Sequence, residues 1–166
     1  LRVGLRYKFV CPSVISAAGR ALQWVSCLRY LGCQFLAGPR FSSSLDVSKR
    51  AFSRAVNCIL GKLGNSSHED VILNLVRTKC LPILLYGTEC LNLNKRSLAS
   101  LDFCVTRFIM KIFKTTNRLI IDDCLRYFNF SLPSVLVARR TQRFLARLQL
   151  SARANALVLR FIEPKY

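Results

Sequence analysis

Acidic side chains are scarce in this sequence. Eight Asp plus Glu stand against 26 Lys plus Arg, a net charge of +18 on 166 residues. Such a field repels basic surfaces and attracts polyanions. Histidine is almost absent: a histidine-dependent nucleophilic triad would have to use His68, the only one. That residue lies in Ser67-His68-Glu69-Asp70, which reads as a solvated helix start. No glycine-rich phosphate loop and no G-x-S-x-G occurs. The eight cysteines, Cys11, Cys27, Cys33, Cys58, Cys80, Cys90, Cys104 and Cys124, include no pair at Cys-x2-Cys spacing. A zinc site wants closely paired thiolates or imidazoles, so no metal site is expected. Cys58 and Cys104 fall inside apolar helical patterns and read as small core residues. No apolar run approaches the ~20 residues of a membrane span. Leu1-Arg2-Val3-Gly4-Leu5-Arg6 lacks the unbroken apolar stretch of a signal peptide. Reduced thiols in the nucleus or cytoplasm, and no membrane partner, are the expectation.

What is present argues for a folded chain. Hydrophobic residues make up 52% and charged ones 20%, which excludes a disordered tail as the whole answer. A chain of this length buries roughly 68–70% of its unfolded surface and needs no disulfide or metal staple. The high apolar content also suggests surface that a partner covers. The charge is uneven. Residues 1–68 carry +9, residues 69–123 carry +2 and residues 124–166 carry +7. Solubility does not require that segregation. Nucleic acid is the leading partner class and an anionic membrane surface the runner-up.

Residues 1–10 alternate strictly, with Leu1, Val3, Leu5, Tyr7 and Phe9 on one side, which predicts a half-buried strand over 1–9. A second extended region runs over Gln23-Trp24-Val25 and from Leu28 to Leu36, and Gly38-Pro39 closes it. The chain opens inside the first strand without Met, which suggests a fragment. After Pro39 the period becomes helical. Ser43-x-x-Asp46 reads as a capping box for a helix carrying Phe52, Val56, Ile59 and Leu63, ended by Gly61 and Gly64-Asn65. Ser67-x-x-Asp70 caps the next, which Pro82 kinks and Gly87 stops. Leu98, Leu101, Val105, Phe108 and Ile112 form the cleanest stripe. A short helix covers Ile121 to Tyr127, and Pro133 sits near the start of a last one. Helices are thus expected over most of 43–63, 68–86, 95–114 and 134–149. Residues 151–166 are weakly patterned.

Asp122-Asp123 follows Leu119-Ile120-Ile121, an apolar-Asp-Asp pattern like the metal-holding turn of polymerases. Two-metal phosphoryl transfer needs carboxylates converging from separate elements. Capping of the Cys124-Leu125-Arg126-Tyr127 helix is the favoured reading.

Trp24-Val25 followed by Arg29-Tyr30-Leu31-Gly32-Cys33 resembles the end of the palm in reverse transcriptases of non-LTR (LINE-type) retrotransposons, where a strand such as Arg2-Val3-Gly4 leads through W-V to a [RK]-Y-L-G hairpin. Leu81-Pro82-x-Leu84-Leu85-Tyr86-Gly87-x-Glu89 resembles that family's next helix. Arg107-Phe108-Ile109-x-Lys111-Ile112-Phe113 and Leu132-Pro133-Ser134 resemble the two that follow. The order and spacing carry the likeness over about residues 1–148. The resemblance implies that the Tyr30-Leu31-Gly32 turn grips a primer strand and that the helices after Pro39 form a thumb on a template–primer duplex. The family's catalytic aspartates, in an upstream strand and an F/Y-A-D-D turn, have no counterpart here. The chain is therefore expected to be non-catalytic alone and to hold no cofactor. Mg2+ would belong to the missing palm, and the fingers and palm would be partners.

These readings combine into an α+β chain, mainly α. A small N-terminal sheet or hairpin remnant over 1–38 precedes a thumb-like helical bundle over 39–150 and an extension over 151–166. A thumb presents charge to phosphates without reading sequence. The candidate contacts are Tyr30, Leu31 and Gly32 in the hairpin, Arg50 and Arg54 beside Ser53 and Asn57 on the first helix, and Arg107, Lys111 and Lys114 on the third. Arg139, Arg140, Arg143 and Arg147 form a last set, exposed together opposite Leu136, Phe144, Leu145 and Leu148. Phe52, Phe108 and Phe144 read as core, leaving Tyr30 as the aromatic contact. An independent basic helical RNA- or DNA-binding module is the alternative.

Overall fold

The computed structural model describes residues 1–63, 68–91 and 93–152. The chain is α+β, mainly α, and forms two compact units, Leu1–Arg50 and a second beginning at Ala51.

The first unit is built from short strands. β1 (Val14–Ile15) pairs antiparallel with β2 (Ala21–Leu22). β3 (Cys27–Tyr30), β4 (Cys33–Leu36) and β5 (Ser42–Ser44) form an antiparallel sheet in that order. Tyr30 faces Cys33, so the β3–β4 loop is only Leu31-Gly32. Both loop residues have positive φ, 47° and 81°. That is what a type I′ turn requires to match the right-handed twist of its strands. Glycine adopts it freely, whereas an L-residue such as Leu31 is strained there by ~1–2 kcal/mol.

The strand expected over 1–9 does not form. Val3 makes one isolated parallel bridge to Gly38, and the chain then turns at Gly4, φ 125°. The Arg2 guanidinium folds the segment back by donating to the carbonyls of Arg6, at 3.0 Å, and Phe9. Alternation defines a strand only where a neighbour supplies a ladder. Here Leu5 and Phe9 are instead 90% and 66% exposed. The paired β1 and β2 lie where no strand was expected, and each is too short to show a period. The Ser43 capping box is also corrected. Ser42–Ser44 belong to β5, and it is the Ser44 hydroxyl that accepts from the Asp46 N–H and donates to its carboxylate. The Lys49 ammonium, 2.8 Å from Asp46, holds that carboxyl below its ordinary pKa, with Ser44 adding to the effect.

The second unit is helical. α1 (Asp46–Leu63) carries the chain into it, and Gly61 lies inside this helix rather than ending it. Gly64, Asn65 and Ser67 lie outside the described residues. α2 (Glu69–Leu75) has His68 at its N-cap without a side-chain hydrogen bond. It runs through a π-helical turn, Val76–Cys80, into α3 (Leu81–Leu84). Pro82 explains the widened turn, because it brings no N–H and its ring crowds the carbonyl four residues back. The Thr78 hydroxyl donates to the carbonyls of Asn74 (2.8 Å) and Leu75 (3.4 Å) just ahead of it. Gly87 ends the segment at φ 69°. α4 (Lys95–Phe113) is capped by Asn94, whose side chain accepts from the Ser97 N–H. α5 (Arg118–Tyr127) and α6 (Pro133–Ala152) follow.

The apolar stripe of α4 is the centre of the core. Leu101, Val105, Phe108 and Ile109 are buried, alongside Val76, Cys80, Leu81, Leu84, Leu85, Ile121, Phe130 and Val137. Each such side chain contributes ~1.5–3 kcal/mol on burial. Burial also holds the Cys80 thiol above its ordinary pKa. Two polar clasps close the unit. The Asp102 carboxylate on α4 accepts from the Ser134 N–H at 2.8 Å, satisfying a donor in the first turn of α6. Arg77 donates to the carbonyls of Phe128 (2.7 Å) and Asn129 (3.1 Å) beyond the end of α5 and lies over the Phe130 ring. There Asn129 is left-handed, and the Phe130 N–H reaches back to the Leu125 carbonyl in a Schellman closure.

Candidate nucleic-acid interface

The polar sides of α1 and α4 meet. Phe52 and Val56 on α1 and Phe108 on α4 are buried, which turns the next residues round each helix toward a shared groove. This groove, about 230 Å³, is lined by Ser53 and Asn57 from α1 and by Cys104, Arg107 and Lys111 from α4. The Lys111 ammonium donates to the Asn57 side-chain oxygen at 2.9 Å across it. One hydrogen bond of this kind leaves the ammonium two further protons for an anion. Arg107 is exposed and makes no hydrogen bond or ion pair among the described residues. The site can therefore offer a fork of guanidinium donors, an ammonium, a hydroxyl and an amide, with no carboxylate in its lining. That donor set suits a phosphodiester.

The other expected contacts divide. Arg50 and Arg54 are exposed but lie opposite Phe52, on the solvent side of α1, so they do not line the groove. Arg50 bonds its own helix, donating from Nε to the Asp46 carbonyl at 3.3 Å. Lys114 was expected to continue the α4 stripe. It instead terminates the helix in a left-handed conformation, φ 49°, with its N–H on the Met110 carbonyl. An exposed cation there complements the carbonyl end of the helix.

On α6 the expected set of four arginines becomes three. Arg139, Arg143 and Arg147 recur every four residues, are exposed and have no partner among the described residues. Arg140 is half-buried and donates to the Leu85 carbonyl at 3.4 Å, so it clasps α6 to the end of α3. Arg140 stands three residues after buried Val137 and four before half-buried Phe144, which places it at the margin of the packed face. Leu145, expected opposite the arginines and covered, is 41% exposed.

In the first unit Tyr30 and Leu31 are exposed, 61% and 72%, and Gly32 with them, so the hairpin tip is free. β3 is an edge strand. Asp122 and Asp123 do not cap. They sit within α5, whose N-cap is Asn117, its side chain accepting from the Leu119 N–H at 3.0 Å. Asp123 faces Arg126 at 3.7 Å. The apolar residues before Asp122 continue upstream as helix, which moves the cap to the first Asn able to supply it. Among the described residues no three His, Cys, Asp or Glu side chains gather as a metal group. Nor is any described helix long and apolar enough to cross a membrane.

Sequence reasoning placed Ser53, Asn57, Arg107 and Lys111 on polar helix faces but did not bring them together, because a pairing across 54 residues leaves no local signal. Comparison with protein-family models found no match, and comparisons with curated proteins and with solved structures found none.

Proposed function

We propose that this chain is a non-catalytic, C-terminal part of a reverse transcriptase of the non-LTR retrotransposon type, and that its helical portion holds a template–primer duplex by the phosphates. The observation that carries the reading is the groove where Arg107 and Lys111 of α4 meet Ser53 and Asn57 of α1 without an acid. A holder of duplex that moves along its template needs cations and donors that ignore sequence. The exposed arginines of α6 extend the same chemistry. The strained, solvent-facing Leu31 at the hairpin tip supports a contact role, since backbone strain clusters where a chain meets a ligand. The partners are then an RNA or DNA template–primer duplex and the fingers and palm of the polymerase. The Mg2+ of that polymerase belongs to the palm site, and the setting is nuclear or cytoplasmic.

The test is duplex binding by the Arg107→Gln/Lys111→Gln variant, followed by fluorescence anisotropy against salt. Affinity should fall equally for unrelated duplex sequences. The slope of log K against log salt should flatten by ~0.9 for each phosphate that is no longer neutralised, so ~1.8 for both. An unchanged slope in the folded variant refutes the assignment of this groove.

A further inference from the structure

The first unit holds a cleft of its own, about 440 Å³, whose lining includes Arg2, Tyr7, Lys8, Phe9, Trp24 and Val25. Trp24, the only tryptophan of the chain, is 44% exposed, and Phe9 is 66% exposed. The indole is held in place on two sides. Its N–H donates to the Pro12 carbonyl at 3.4 Å, and the Arg2 guanidinium lies 5.4 Å from the ring centroid. Arg2 is in turn anchored on the carbonyls of Arg6 and Phe9. Lys8 is exposed, with its ammonium 5.7 Å from the Tyr7 ring centroid. No acid occurs anywhere in residues 1–45.

We propose that this cleft binds an unpaired nucleotide of a single-stranded nucleic acid, with the base stacked against Trp24 and Phe9 and the phosphate met by Lys8. Exposed rings interleaved with cations match a ligand that carries a π-face and a negative charge together. An apolar protein segment would satisfy the rings but strip water from Lys8 without replacing it. Because Arg2 and Pro12 already fix the indole, little ordering cost falls on binding. Every base has a π-face, so recognition is indifferent to sequence. The site shares no residue with the α1–α4 groove and does not rest on the duplex reading.

The single tryptophan makes the test direct. The full chain is titrated with an oligothymidylate, with an abasic oligodeoxynucleotide of the same length, with a blunt duplex and with anionic lipid vesicles, while Trp24 emission is followed. Saturable quenching by the oligothymidylate is expected, with the abasic strand bound about tenfold more weakly. Phe9→Ala, at an exposed position, should weaken binding by about tenfold. Lys8→Gln should flatten the salt slope by ~0.7 for the one phosphate it meets. Phe9→Ala, which removes no charge, should leave the salt slope of blunt-duplex binding unchanged, which keeps failure here separate from failure of the groove. No quenching, equal response to the abasic strand, or stronger response to duplex or vesicles overturns the proposal.

Discussion

Replacing Arg139, Arg143 and Arg147 with Gln tests the outer face of α6 without touching its packing. All three are exposed and unpartnered among the described residues, while Arg140 holds the Leu85 carbonyl and is left in place. Exposed substitutions change stability by about 0.5 kcal/mol or less each. Removing the two i,i+4 like-charge pairs also relieves ~0.2–0.5 kcal/mol per pair. The melting temperature should therefore hold or rise slightly. Binding should respond differently. If each arginine meets one phosphate, the salt slope flattens by ~0.9 three times, or ~2.7. Raising salt fourfold, from about 50 to about 200 mM, would then cost the variant ~40-fold less affinity than it costs the parent. Anisotropy titrations across a series of salt concentrations measure this. Arg140→Gln is the contrasting control, since it should cost about 1 kcal/mol of stability by removing a hydrogen bond from a charged donor. A folded triple variant with the parent's slope would show that this stripe is a solvated helix face. A slope change in Arg140→Gln equal to that of the triple variant would show that the division of the four arginines is wrong.

Three other outcomes follow from the geometry. Leu31→Asn should stabilise the β3–β4 hairpin by about 1 kcal/mol, because Asn tolerates the left-handed conformation, and slower amide exchange in β3 and β4 would register it; unchanged exchange would contradict the strain. Asp102→Ala should destabilise the second unit by about 1–2 kcal/mol by orphaning the Ser134 N–H, with Asp102→Asn largely restoring it, as denaturant melts can read; equal destabilisation in both variants would mean that the hydrogen bond is not what matters. In native thiol labelling, Cys11 and Cys58, the latter exposed where the helical pattern had placed it in the core, should react readily while Cys80, buried and with a raised pKa, reacts only on unfolding; labelling of Cys80 at the rate of Cys58 would rule out its burial.

The helices were legible because their signals are local. The α4 stripe, the Pro133 start of α6 and the Gly87 stop each lie within a few residues of what they specify. The β3–β4 hairpin at Leu31-Gly32 came only through the resemblance, since the residues themselves read as one extended region from Leu28 to Leu36. Charge was equally plain, since it is a property of composition. The strand over 1–9 failed because alternation names a face and not a neighbour, and the described residues supply no ladder there beyond one bridge at Val3. The Asp122-Asp123 cap failed because the helix had already begun at Arg118 behind Asn117. What only the tertiary structure decided is which polar faces look at each other. Periodicity sorts a helix into an inside and an outside, but the partner across a groove depends on how buried side chains set the helices together. That packing joined Lys111 to Asn57, moved Arg140 from the exposed set to a clasp on Leu85, and folded Arg2 over Trp24.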